Sequence, residues 1–164
     1  MACIQFWSQE YYPKFGERDF KLLSQSLDFD PGSYLSFNEV SNSLSSLSSF
    51  RDLEVWQTSM RLVELVYGIT RKLPVDERFG LKSQMQRAAV SIPSNIAEGY
   101  GLGAAGYRHH VMIARGSLME LEVQLELVVR LKLINCDDVA ACWPLVQRVG
   151  QMLTRLALSL AKPR

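Results

Sequence analysis

Residues 104–133, AAGYRHHVMIARGSLMELEVQLELVVRLKL, decide the fold. Tyr107, Val111, Ala114, Leu118, Leu121, Leu125 and Val128 recur every three to four positions, the period of one face of an α-helix, with charged and polar residues between them. The pattern predicts a helix over about Ala104 to Leu133, the longest element of the chain. A helix of this kind must bury its apolar stripe against others.

Those others lie on both sides of it. C-terminally, Asn135 followed by Asp138 reads as a helix cap. Val139, Cys142, Val146, Val149, Leu153, Leu156 and Leu160 then form a sustained heptad. N-terminally, a helix is expected from about Glu77, with Leu81, Met85, Ala88, Ile92 and Ile96 on one face and a kink at Pro93, which lacks a donor and crowds the carbonyl of Ala89. Gly99, Gly101 and Gly103 are expected to end it through the left-handed conformation glycine accepts. A first helix runs from Asp52, its expected cap, to about Leu73, where Pro74 stops it. Its main stripe is read as Trp56, Met60, Val63, Tyr67 and Thr70. Four amphipathic helices with short connections run antiparallel to their neighbours. The fold class is therefore all-α, an antiparallel up-and-down four-helix bundle over residues 50–164.

Residues 1–49 form a separate N-terminal extension, expected to be poorly structured. Its aromatics Phe6, Trp7, Tyr11, Tyr12, Phe15 and Phe20 follow no sustained period, and residues 41–49, SNSLSSLSS, are six parts serine in nine. Two readings stay open: the extension packs against something, or translation starts nearer Phe50. Net charge over the whole chain is +1, but residues 1–50 carry −3 and residues 51–164 carry +4. Cys3, Cys136 and Cys142 show no paired spacing, so neither a disulfide framework nor a zinc site is expected. With no long apolar run and no secretory leader, the expectation is a cytoplasmic protein without a membrane contact.

Three stretches carry a family resemblance: FRDLEVWQTSMRLVELVYGITRKLP from residue 50, RFGLKSQMQRAAVSIPSNIAEGYG from residue 78, and ARGSLMELEVQLELVVRLKLI from residue 114. They resemble the bacterial four-helix-bundle family encoded in intervening sequences of 23S ribosomal RNA genes, over about residues 50–162, with SIPSNIAEG at 91–99 the most specific block. The resemblance implies an up-down bundle assembled as a ring-shaped homo-oligomer, a homopentamer in relatives. It also implies kinship to the accessory variability determinant of diversity-generating retroelements, which works beside a reverse transcriptase and binds nucleic acid. The segment GLGAAGYRHH at 101–110 departs from the family by lacking its basic and serine residues and leaves Arg108 as the only permanent cation there. The first 50 residues lie outside the family pattern.

The candidate sites follow from residue types. A di-metal carboxylate centre needs Glu-x-x-His on two helices, and the only histidines, His109 and His110, follow Gly106 and Tyr107 at that spacing. No P-loop or nucleophile elbow occurs, and the histidine pair reads as plain surface. No catalytic residue, cofactor or metal is expected. Ser91, Asn95, Glu98, Ser117 and Glu120 read as an inward-facing polar layer that sets helix register, since buried carboxylates require partners. Arg71, Lys72, Arg78, Lys82 and Arg87, against Asp76 and Glu77, are the candidate nucleic-acid contacts, because Arg78 and Lys82 sit where the helix macrodipole disfavours cations. Leu62, Val66 and Ile69 on helix 1, with Met112, Leu127 and Leu131 on helix 3, read as a second apolar face for self-association. The leading functional reading is a non-catalytic oligomeric scaffold or accessory protein touching RNA or DNA phosphates. The alternative is an interaction module docking a polymerase or other protein without direct nucleic-acid contact.

Overall fold

The computed structural model describes residues 48–161, apart from Phe79 and the side chain of Arg78; the extension before Ser48 lies outside the described residues. A 3-10 turn, Phe50–Asp52, leads into α1 (Glu54–Thr70). A second 3-10 turn, Val75–Arg78, precedes α2 (Leu81–Tyr100). α3 (Ala104–Arg130), the short α4 (Cys136–Ala140) and α5 (Cys142–Ser159) complete the order. α1 packs on α2 and α5, and α3 packs on the same two, so α1 and α3 sit on opposite corners of a square. This is the four-helix bundle, and among the described residues there is no strand.

The helix starts differ from the sequence reading. Asp52 does not cap α1; it closes a capping box on the preceding turn, accepting from Ser49 N at 2.9 Å while Ser49 Oγ accepts from Arg51 N at 3.2 Å. α2 begins at Leu81 rather than near Glu77, and Glu77 serves it from outside, Oε2 accepting from Leu81 N at 3.1 Å. The expected cap at Asn135 makes no side-chain bond, and Asp138 is turned away to Lys72. The last helix is broken at Ala141. Pro144 cannot donate to the carbonyl of Ala140, so the ladder restarts at Cys142, where a proline within the first turn forfeits no bond.

The helix ends differ too. α2 runs through Pro93, buried within it, to Tyr100 as read, but it does not end through the left-handed conformation expected, since no glycine among the described residues has positive φ. The left-handed residue is Lys132, with φ 57°, at the end of α3. Leu133 N donates to Val128 O at 2.9 Å and Lys132 N to Val129 O at 3.0 Å, the paired bonds of a Schellman close.

The core is built from Leu62, Val66 and Ile69 of α1, Met85, Ile92 and Ile96 of α2, Val111, Leu118, Leu121 and Leu125 of α3, and Val146, Val149 and Leu153 of α5, all buried. The α1 face is thus rotated from the sequence reading. Leu62, Val66 and Ile69 face inward, while Trp56, Met60 and Val63 are half-buried and Tyr67 is exposed. Thr70, read as the end of that outer stripe, is buried as well. On α3, Met112, Leu127 and Leu131 are exposed as expected.

Candidate functional site

Two polar regions remain once the core is accounted for. The first is the seam between α2 and α3. Gly99 brings the two helices together: a Cβ there would lie 2.6 Å from the Tyr107 ring and 2.8 Å from His110 Cβ. Close approach, not a left-handed turn, is what requires glycine at this position. Below it the SIPSNIAEG block meets α3 through a chain of hydrogen bonds. Asn95 Nδ2 donates to Ser91 O at 2.9 Å and to Ser91 Oγ at 3.1 Å. That leaves Asn95 Oδ1 facing His110 Nδ1 at 3.1 Å, so the imidazole carries its hydrogen on Nδ1 and donates it. Ser117 donates to Ile113 O at 3.1 Å, which makes Ser91 the donor in the 2.8 Å bond between the two hydroxyls. The bonds run in one direction, from His110 through Asn95 and Ser91 to Ser117, and each polarises the next.

Ser91, Asn95 and Ser117 therefore come together as read from the sequence, half-buried between helices. The two carboxylates do not join them in the interior. Glu98 has a side chain 65% exposed and reaches the same His110 nitrogen at 3.5 Å from the solvent side. Glu120 is exposed and accepts from Gln124 Nε2 at 2.9 Å, one helical turn away on its own helix. Both stay in water because an ionised carboxylate without a cation partner is expensive to bury. His110, read as surface, is the member that sequence reasoning missed; only 22% of its side chain is exposed. Its three-residue offset from Tyr107, a core position, was the available signal. Tyr107 itself is buried with its hydroxyl unpartnered, and burial, with Tyr100 nearby, pushes the phenol up to about 12. Among the described residues, no three His, Cys, Asp or Glu side chains gather as a metal site.

The second region is the α1–α2 turn with its cations. The structure does not gather all five. Lys72 Nζ pairs with Asp138 Oδ1 at 2.5 Å, tying the end of α1 to α4. Arg87 is exposed and donates to Ser83 Oγ at 2.9 Å, and it lies five positions on from Lys82, which turns the two to different sides of α2. The side chain of Arg78 lies outside the described residues. Gln86 Nε2 donates to Thr70 Oγ1 at 2.9 Å, joining the end of α1 to α2; Arg71 follows Thr70 and Lys82 lies one turn before Gln86, so both stand at this end of the bundle. Neither has a carboxylate partner among the described residues. The antiparallel topology also carries the C-terminal end of α3, with Arg130 and Lys132, to this end of the bundle, although Arg130 pairs with Glu126. No helix among the described residues is long and apolar enough to cross a membrane.

A comparison with curated proteins finds no match. The family model described as 23S rRNA-intervening sequence protein matches residues 51–155, the span from the turn before α1 to near the end of α5. That span contains the whole α2–α3 seam and all four walls of the core, and the chain belongs to the 23S rRNA-intervening sequence protein family.

Proposed function

We propose that the protein is a non-catalytic, self-associating four-helix bundle that acts as a scaffold or accessory protein on nucleic acid, meeting the phosphate backbone with the end of the bundle that carries Arg71 and Lys82. The observation that supports this reading most directly is that these two cations stand at one end of the bundle, next to the Thr70–Gln86 contact in sequence, with no carboxylate paired to either among the described residues. Lys72 adds to the patch when phosphate displaces Asp138, since an exposed ion pair of this kind is worth only about 0.2–1 kcal/mol. Repetition of the patch on every copy of an assembly adds contacts without new chemistry. Such binding follows charge, not base sequence.

The test is retention of a short RNA duplex by full-length protein, followed by light scattering after size exclusion at low and moderate salt. With two cations engaged per site, the logarithm of affinity falls with the logarithm of salt at a slope of about −2. Arg71→Glu with Lys82→Glu is expected to abolish retention while leaving the mass of the assembly unchanged. An assembly that ignores RNA at low salt refutes the phosphate contact and turns the search to a protein partner.

A further inference from the structure

Among the described cations of the α1–α2 turn, Lys72 alone already holds an anion. Its Nζ pairs with Asp138 Oδ1 at 2.5 Å, across 66 positions of sequence. The anion comes from the smallest helix of the bundle. α4, Cys136–Ala140, is five residues long, has no side-chain bond at its Asn135 cap, and lies between the left-handed Lys132 and the break at Ala141. Val139 is its one buried residue. A helix this short does not hold itself, so its position depends on what it touches.

Two acids stand side by side in the first turn of α4, Asp137 and Asp138, and either suits the positive end of a helix. They are not used alike. Asp137 is exposed and has no ion-pair partner among the described residues, whereas Asp138 turns to Lys72. Helix stability accounts for an acid in this turn but not for its reach to the end of α1. The pair is open to exchange, with 57% of the Lys72 side chain and 29% of the Asp138 side chain exposed. An anion lodged on a cation beside Arg71 competes with any phosphate that arrives there. Where part of the population must open before it can bind, apparent affinity falls by the closed fraction.

We propose that α4 carries an internal competitor for phosphate: Asp138 occupies Lys72 in the free protein and restrains nucleic-acid binding at this end of the bundle until a phosphate backbone replaces it. The inference rests on the phosphate contact proposed above and adds the regulation of that same site. A pair that serves only as a strut makes the opposite prediction. Cutting a strut weakens or leaves unchanged what it supports, whereas removing a competitor strengthens binding.

Neutralising each acid in turn tests it. Full-length wild type, Asp138→Asn, Asp137→Asn, Lys72→Gln and the Lys72→Gln/Asp138→Asn double variant are titrated with a short RNA duplex over a salt series, with circular dichroism to verify that each is folded. Asp137→Asn removes the same charge from the same turn and so controls for net charge. Asp138→Asn is expected to tighten binding by up to about fivefold at low salt. It is also expected to steepen the salt slope by about one, since a further cation is freed for phosphate, while Asp137→Asn leaves the slope unchanged. The gain is expected to vanish in the Lys72→Gln background, where Asp138 has nothing to release. Wild-type binding that Asp138→Asn tightens no more than Asp137→Asn does, or a gain that survives the loss of Lys72, overturns the competitor and leaves the phosphate contact standing. Failure of wild type and Asp138→Asn alike to retain RNA at low salt overturns both.

Discussion

The α2–α3 seam and the α1–α2 turn both join antiparallel neighbours, and both are rich in polar side chains, yet they are organised oppositely. In the seam, half-buried groups find partners across the helix boundary in a single directed chain from His110 to Ser117. In the turn, apart from the part-buried Gln86–Thr70 bond, groups find local or separate partners: half-buried Glu77 caps α2, exposed Arg87 bonds Ser83, and exposed Lys72 leaves for α4. The difference is burial. A polar atom removed from water loses free energy unless it is paired, so the seam is selective about geometry, whereas exposed charges are screened and tolerate many arrangements. A stable, register-setting seam and a loosely held turn are the expected result, and under the function proposed above the second is where phosphate would be met.

Thermal and denaturant unfolding sharpen this contrast. Gly99→Ala places a methyl into the Tyr107 ring and His110 Cβ and is expected to cost about 3 kcal/mol, the upper range for overpacking, read as a lower midpoint in urea. Asn95→Ala interrupts the chain between His110 and Ser91 and is expected to cost about 2 kcal/mol. A cost no larger than that of an exposed substitution breaks the claim that the seam sets register. Lys132→Gly relieves a left-handed side chain at the close of α3 and is expected to stabilise by about 1 kcal/mol, showing that the turn end of the bundle is under local strain which the seam end does not share. Lys72→Ala is expected to cost only about 0.2–1 kcal/mol, and the loss should vanish as salt is raised; a larger, salt-independent cost would mean that the turn is held as firmly as the seam.

The periodicity of α3 was legible because one apolar line there is much denser than the other, and its length left no strand alternative. α1 was harder: Leu62, Val66 and Ile69 form one apolar line and Trp56, Met60, Val63 and Tyr67 another, and spacing cannot say which faces inward. Neighbouring helices decide that, and the aliphatic line went inside. In the site, Ser91, Asn95 and Ser117 were legible as small polar residues at helical spacing beside core positions. The carboxylates were misplaced because their neighbours in sequence were polar, which says nothing about whether a cation waits across the boundary.

The amino-acid sequence by itself determined that the chain is all-α, that four helical walls make the bundle, and roughly where each begins and ends, because helix periodicity and proline are local properties. The tertiary structure alone decided which face of α1 is core, which hydrogen of His110 is held, where Lys72 finds its anion and which apolar line of α3 stays uncovered. Each of these depends on what another helix presents several ångströms away, and no spacing within one helix contains that information.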